Sequence, residues 1–447
     1  MLVSRRSRVA SLAACATILL ATSACGDDKA EEGSAQQVRL YGTDGNMLNS
    51  YPAELKERAG LVDGMKGTTP LTPLPDAFKS RLRSVNPALT DYLYSAETYD
   101  AVVITALASQ LAGSNDPAAI AKQIVGVTNN GQRCEDPATC LALARNGQDI
   151  EYRSVSLTRA GFTDEGEPAT ASYATLNFDG QTINDGKTEF VGAGSESAAS
   201  TKTPPKPKKQ PAGDNAGQDP LIIGGLLPKT GDLAIAYPPM AAGAALAIKE
   251  INAAGGALGH PVVWKDGDDG TSLAVAKATV AKQVADGASV IIGAGASGIS
   301  REVLPDVVQA GRILFSPSNT DSSLTAVEDK GLYFRTAPPD SLQGRALADV
   351  ILRDGSQKIA IVARKDSYGE GLQATVREEL EKTGIATDRI KLLTYEPPAD
   401  AKAPPVDFAS GAKDIKQFGA DAVLIIGFGE SAEVIRALAD NGVQIQH

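Results

Sequence analysis

The chain has 447 residues, with 43 basic against 54 acidic side chains, two histidines and a formal net charge of −11. A surface this acidic repels phosphate backbones, which excludes nucleic acid as a partner. With histidine nearly absent, no nucleophile has a plausible base and no paired metal ligands stand out, so neither catalysis, a cofactor nor a metal is expected.

Residues 1–24 read as an export leader. Arg5, Arg6 and Arg8 precede an apolar run over 9–24 that is short for a bilayer span. The run ends in "TSAC", which resembles a lipobox, so Cys25 is the expected lipidated N-terminus; Thr22 stands where leucine is more usual. Ordinary cleavage, with Cys25 lost or free, is the alternative. Residues 25–36 are a polar tether. Loss of the three leader arginines moves the charge to about −14.

The portion 37–195 opens with the strand "VRLY" and the loop "YGTDGN", and continues with helices such as "AETYDAVVITALASQLAG". It ends in polar β-like stretches such as "ASYATLNFDG". Its two cysteines, Cys134 and Cys140 in "CEDPATC", are expected to form a disulfide outside the cytoplasm. Residues 196–219 are rich in Pro, Lys, Ser and Gly and read as a linker.

The portion 220–447 alternates strand-like runs ("LIIGGLL", "PVVWK", "SVIIGA", "RILFSP") with amphipathic helical stretches. The rhythm restarts after "YFRTAPPD" with "KIAIVAR", "RIKLLTY" and "DAVLIIGF". Strands alternating with helices predict doubly wound parallel sheets, and two such runs predict two sheets. The last ten residues, "LADNGVQIQH", read as helix and turn where a strand is due. "VRLY" is a strand without a βα partner in its own portion, and placed after "LADNGVQIQH" it would supply the missing one.

The blocks "IIGGLLPKTGDLA", "AIKEINAAGGALGHPVVW", "VIIGAGASGIS", "ILFSPSNT", "RTAPPDSLQGRALA" and "KDSYGEGL" resemble, in order and spacing, the leucine/isoleucine/valine-binding family of transporter receptors. "YGTDGN" followed by "SAETYDAVVITALA" resembles a later part of the same family. The resemblance implies the type I periplasmic binding-protein fold, with two α/β lobes joined by hinge strands. It also implies a circularly permuted order, in which the family's C-terminal portion comes first as 37–195 and its N-terminal portion second as 220–447. Residues 220–338 and about 73–155 then share one lobe. The other takes 340–447, 38–72 and the tail near 156–195. Strand 38–41 should run parallel beside strand 422–427.

On the same resemblance, ligand lies at the carboxyl ends of the strands. Ser297, Ser318 and Thr320 fall in loops that hold a ligand carboxylate, and Asp44 falls where an acid pairs with the ligand ammonium. Tyr368, Phe428 and Tyr94 fall near the pocket wall. Taken alone, each hydroxyl residue reads equally as a helix cap, and Asp44 as an Asx-turn. Gly293, Gly295 and Gly298 spell G-x-G-x-x-G between a strand and a helix, but the next strand does not end in an acid for a ribose. The glycines read instead as close backbone approach at a helix start.

The expected function is a lipid-anchored, extracytoplasmic, monomeric receptor that delivers an amino acid to an ABC permease by hinge closure. The same fold holding an amide, urea or another small polar solute, or acting as a sensor, is the second reading. A nucleotide-dependent oxidoreductase is the third.

Overall fold

A computed structural model describes residues 37–208, 219–400 and 402–447. The leader, Cys25 and the tether lie outside the described residues, as does 209–218 of the linker. The described residues belong to one compact unit.

In the first portion the strands are β1 (Gln37–Gly42), β2 (Lys66–Pro70), β3 (Gln132–Cys134), β4 (Ile150–Tyr152), β5 (Thr170–Asp179), β6 (Thr182–Ile183) and β7 (Glu189–Gly194). Its helices are α1 (Asp76–Val85), α2 (Ser95–Ala112), α3 (Pro117–Val127) and α4 (Pro137–Arg145). The second portion contributes β8 (Ile222–Leu226), α5 (Tyr237–Ala253), β9 (Val263–Lys265), α6 (Leu273–Ala285), β10 (Val290–Gly293), α7 (Ser297–Gln309), β11 (Ile313–Ser316) and β12 (Tyr333–Arg335). It continues with α8 (Asp340–Arg353), β13 (Ile359–Arg364), α9 (Ser367–Lys382), β14 (Ile390–Tyr395), α10 (Ala409–Phe418), β15 (Ala422–Ile426), α11 (Ala432–Asp440) and β16 (Gln444–Ile445).

Two sheets form the two lobes. The first has the order β12-β11-β10-β8-β9 and is parallel throughout. The second has the path β14-β13-β15-β1-β2-β5-β6, with β16 on β1 and β7 on β5. Its strands from β14 to β2 are parallel, and β5, β6 and β7 add an antiparallel edge. The sequence predicts parallel sheets and leaves this edge out. A short turn joins β5 to β6, which allows only antiparallel pairing, and β7 continues along β5 in the same sense.

The apolar runs fill the sheets because parallel strands are covered on both faces. Every residue of β10, β11, β13 and β15 is buried. Strand β1 lies in the second sheet beside β15, with Arg39, Leu40 and Tyr41 in parallel register with Ala422, Val423 and Leu424. This is the pairing expected from the sequence. Helix α2 is buried along its whole length, as suits a helix apolar on most sides. Some of its polar residues bond locally or to neighbours: Thr105 donates to the Ala101 carbonyl at 2.8 Å, and Tyr152 donates to Asp100 at 2.8 Å, whereas Glu97 Oε2 and Gln110 Nε2 are buried without a partner among the described residues. Cys134 and Cys140 form a disulfide with a Cα separation of 5.4 Å, tying β3 to α4.

The chain crosses between lobes through residues 71–75, at the junction ahead of β5, and through residues 336–339. A buried ion pair of Arg335 and Glu167, 2.5 Å apart, braces two of these crossings. Part of the expected linker is not free chain. Lys208 donates its N–H to the Leu111 carbonyl at 3.0 Å, Gln123 donates to the Pro205 carbonyl at 3.0 Å, and Ser200 is buried. The first half of this Pro- and Lys-rich stretch thus lies along α2 and α3, with its prolines against small residues such as Gly126.

Candidate functional site

Loops at the carboxyl ends of parallel strands from both sheets meet around a cavity with about 270 Å³ of empty space. The second lobe supplies Asp44 and Gly45 after β1, Tyr368 in the first turn of α9, and Phe428 after β15. The first lobe supplies Leu93 and Tyr94 ahead of α2, Leu233 after β8, Gly295, Ala296 and Ser297 after β10, and Ser318 after β11. Six of the seven predicted site residues therefore line one cavity. Thr320 stands behind it: its N–H donates to Ser297 Oγ at 3.2 Å, and its buried hydroxyl faces Asp340 rather than the cavity.

Asp44 is 4% exposed. Tyr94 donates to its Oδ2 at 2.7 Å, Tyr368 to its Oδ1 at 2.8 Å, and Gln343 Nε2 to Oδ1 at 3.3 Å. Burial pushes its carboxyl up, and these three donors only partly oppose the shift. Among the described residues no lysine or arginine pairs with it. The Asx-turn alternative does not hold, because the Asn46 N–H donates to the Thr43 carbonyl at 3.0 Å and the Asp44 carboxylate lines the cavity instead. Tyr94 itself has a left-handed backbone, φ 55°, at the N-cap of α2. A non-glycine residue in that region is strained, and such strain is commonly kept at functional sites. Burial and the Asp44 charge both raise the Tyr94 and Tyr368 hydroxyls, so the two phenols remain donors.

Opposite Asp44 stands the start of α7. Its N-cap is Ala296, which has no side-chain acceptor, so the first-turn N–H groups are left for an anion. Ser297 Oγ accepts from the N–H groups of Thr320 (3.2 Å) and Asp321 (3.3 Å), locking two loops together. Ser318 donates to the Gly295 carbonyl at 2.8 Å, and Asn319 Nδ2 donates to the Ala294 and Gly295 carbonyls, both at 3.1 Å. Of the three glycines, Gly293 has φ +139°, and a Cβ there would stand 2.0 Å from the Leu226 carbonyl oxygen. Gly295 is closed by Pro228 at 2.8 Å, whereas Gly298 has ordinary clearance. Close backbone approach holds for the first two and not for the third.

The remaining wall is an aromatic stack. Tyr368 and Phe428 lie face to face, 5.4 Å between centroids, and the Arg364 guanidinium sits 3.9 Å over Phe428. Burial pushes the Arg364 pKa down, but Glu430 (2.7 Å) and Asp366 (2.6 Å) outweigh it and hold the side chain charged. Beside this cluster the lobes touch directly, where Gly429 N–H donates to the Asp232 carbonyl at 3.0 Å. Burial and the nearby Glu430 raise the Asp232 carboxyl to about 7.

A family model described as periplasmic binding protein matches residues 220–447, just over half of the chain. The chain belongs to the periplasmic binding protein family. This periplasmic binding protein is 30% identical over 228 residues to the Leu/Ile/Val-binding protein homolog 3 of Brucella melitensis biotype 1, covering 50% of the chain and 59% of that relative. It is likewise 30% identical over 230 residues to the Leu/Ile/Val-binding protein homolog 1 of Brucella suis biovar 1, with 51% and 59% covered. It thus spans about three fifths of these relatives' length. Among solved structures it is similar to the branched-chain amino acid transporter substrate-binding protein LivJ of Streptococcus pneumoniae in complex with isoleucine. That likeness has 25% identity and a TM-score of 0.43, over 51% of this chain and 63% of that one. It is also similar to a solute-binding protein of an ABC transporter from Rhodopseudomonas palustris in complex with 3,4-dihydroxybenzoic acid (18% identity, TM-score 0.43, 51% and 61% covered). Among the described residues of this periplasmic binding protein, no helix is long and apolar enough to cross a membrane.

Sequence reasoning missed Gln343 and Asp340. Both lie in "RTAPPDSLQG", a block singled out for its resemblance but not searched for polar side chains. Asp340 is 1% exposed; burial and then the Asp44 charge push its carboxyl well up. Leu93 and Leu233, the apolar lining, carry no motif that marks them.

Proposed function

We propose that this protein is an extracytoplasmic solute receptor of an ABC importer that binds an amino acid, branched-chain or similar, between its lobes. One observation carries the reading: a buried carboxylate with three donors and no cationic side chain faces an uncapped helix N-terminus across the lobe interface. A zwitterion satisfies both ends at once. Its ammonium meets Asp44, and its carboxylate meets the first turn of α7 near Ser297 and Ser318. Leu93, Leu233 and Phe428 leave an apolar surround for the side chain, in a cavity so tight that the lobes must part to admit a ligand. Closure is the binding step, since the Tyr94 bond to Asp44 and the Gly429 bond to Asp232 both join one lobe to the other.

The role is delivery rather than catalysis, and the permease is the partner. Cys25 is the proposed lipid anchor and a monomer the proposed form. We further propose that the two portions are a circular permutation of the family order. Support comes from β1 pairing between β15 and β2, and from a match that is confined to 220–447 and leaves a share of each relative about the size of the first portion.

A thermal-shift and calorimetric screen of the twenty amino acids, with urea and simple amides as the contrast, tests the assignment. Leucine, isoleucine or valine should raise the melting temperature and bind with one-to-one stoichiometry. A response to amides alone would overturn the zwitterion reading. Cys25→Ser should release the protein from membranes with ligand binding intact, and membrane retention in the absence of a permease would refute the anchor.

A further inference from the structure

A second, partly open cavity, with about 930 Å³ of empty space, shares Leu93 with the ligand cavity. Its walls come from both lobes. Leu48, Leu176 and Phe190 belong to the second, Lys79 and Tyr92 to the first, and Leu71 and Leu74 lie on the crossing 71–75 between them. The lining mixes apolar and polar side chains, and three of its donors have no acceptor among the described residues. The hydroxyls of Tyr92 and Thr188 are buried and have no hydrogen-bond partner. Lys79 Nζ lies 5.4 Å over the Tyr92 ring and forms no ion pair among the described residues. Two acids also line the cavity, and neither forms an ion pair with Lys79. Asp91 is engaged by the Asn49 N–H at 2.7 Å and the Thr90 hydroxyl at 3.2 Å, and Asp185 is exposed. An orphaned buried hydroxyl is costly unless something supplies a partner, and the half-buried Lys79 ammonium stands beside these two. An ammonium can only donate, so a ligand that meets Lys79 and both hydroxyls together is best served by a negatively charged acceptor.

We propose that this cavity binds a small monocarboxylate with an apolar body, and that its occupancy favours the closed arrangement of the lobes. The carboxylate meets Lys79 and the Tyr92 and Thr188 hydroxyls, while the body lies against the leucines and Phe190. A molecule touching both lobes and the crossing between them binds the closed arrangement more tightly than an open one, and shifts the population accordingly. The route to the ligand cavity is short. Tyr92 lines the second cavity, Leu93 lines both, and Tyr94 donates to Asp44. The coupling is reciprocal, so the amino acid tightens the carboxylate as much as the carboxylate tightens the amino acid.

The inference stands apart from the identity of the transported ligand, and the test separates the two. Phenylacetate and 4-methylpentanoate are titrated calorimetrically into the full chain, into Asp44→Asn and into Lys79→Met, with phenylacetamide as the uncharged contrast. Circular dichroism checks that each variant is folded. Binding of the carboxylates should persist in Asp44→Asn and weaken about tenfold or more in Lys79→Met, and phenylacetamide should bind at least tenfold more weakly. Saturating phenylacetate should tighten amino-acid binding several-fold in the parent chain and leave it unchanged in Lys79→Met. Absence of carboxylate binding overturns the proposal. So does binding that is lost in Asp44→Asn but kept in Lys79→Met, which would place the molecule in the ligand cavity. Carboxylate binding without any change in amino-acid affinity overturns the coupling. If no amino acid binds at all, the carboxylate titrations still read the second cavity directly.

Discussion

Asp44 illustrates a conflict between stability and function at a single side chain. Its carboxylate is buried, raised in pKa and without a cationic neighbour, so in the absence of ligand its charge opposes folding. Asp44→Asn should therefore raise the melting temperature of the ligand-free protein while weakening amino-acid binding by about 1.5–3 kcal/mol, the worth of a charged hydrogen bond. Calorimetry and thermal denaturation on the same sample check both halves. Because an ammonium needs the ionised form, affinity should also fall as pH falls through the raised Asp44 pKa. Glu97, buried in the first turn of α2, behaves differently. Burial raises its carboxyl to about 8, from 4.5, so the folded state holds the proton more tightly than the unfolded chain. Its contribution to stability is complete below about pH 4.5 and fades as pH rises through about 8. Glu97→Gln should flatten that limb of the pH–stability curve by a few kcal/mol, measured by denaturant unfolding at pH 5 and pH 8.5. Asp44 and Tyr368 were legible because they sit in blocks that resemble the family, and Tyr94 because it directly precedes one. Gln343 and Leu93 were not, since a lone glutamine or leucine looks the same in sequence whether it faces a cavity or a core.

At the scale of elements, the strand–helix rhythm made both sheets readable, down to the parallel partner of β1. It did not reveal the antiparallel edge, because alternation within β5 and β7 says which face is covered and not which neighbour covers it. Nor did composition reveal that residues 204–208 lie against α2 and α3, held by the Lys208–Leu111 and Gln123–Pro205 hydrogen bonds and by Pro204 packing on Gly126. Helix α2 is the packing centre of the first lobe, and Ile104 on it is fully buried. Ile104→Ala should cost about 2–5 kcal/mol in chemical denaturation. The Cys134–Cys140 disulfide closes a short loop, with a sequence separation of six. Its reduction should cost about 2 kcal/mol, with ligand affinity retained, since neither cysteine lines the ligand cavity. A mass measurement showing two free thiols in the exported protein would remove the basis for that expectation.

The whole molecule tests the proposed order of its portions. A gene encoding 220–447 followed directly by 37–195 should yield a folded protein with the same ligand, checked by circular dichroism and calorimetry. Residues 220–447 alone should not, because β15 would lose β1 and the second sheet would expose a long edge. The placement of β1 has a further consequence, for synthesis and export. Strand β1 leaves the ribosome roughly 380 residues ahead of its neighbour β15. During that interval β1 has β2 on one side only, and its other edge presents hydrogen-bonding groups to other chains. Neither lobe can finish folding early, since each draws on both portions of the polypeptide. The chain should therefore depend on holding chaperones during export more heavily than the relinked 220–447/37–195 protein, in which strand partners emerge closer together. Depletion of extracytoplasmic chaperones should lower the yield of the natural order and largely spare the relinked one.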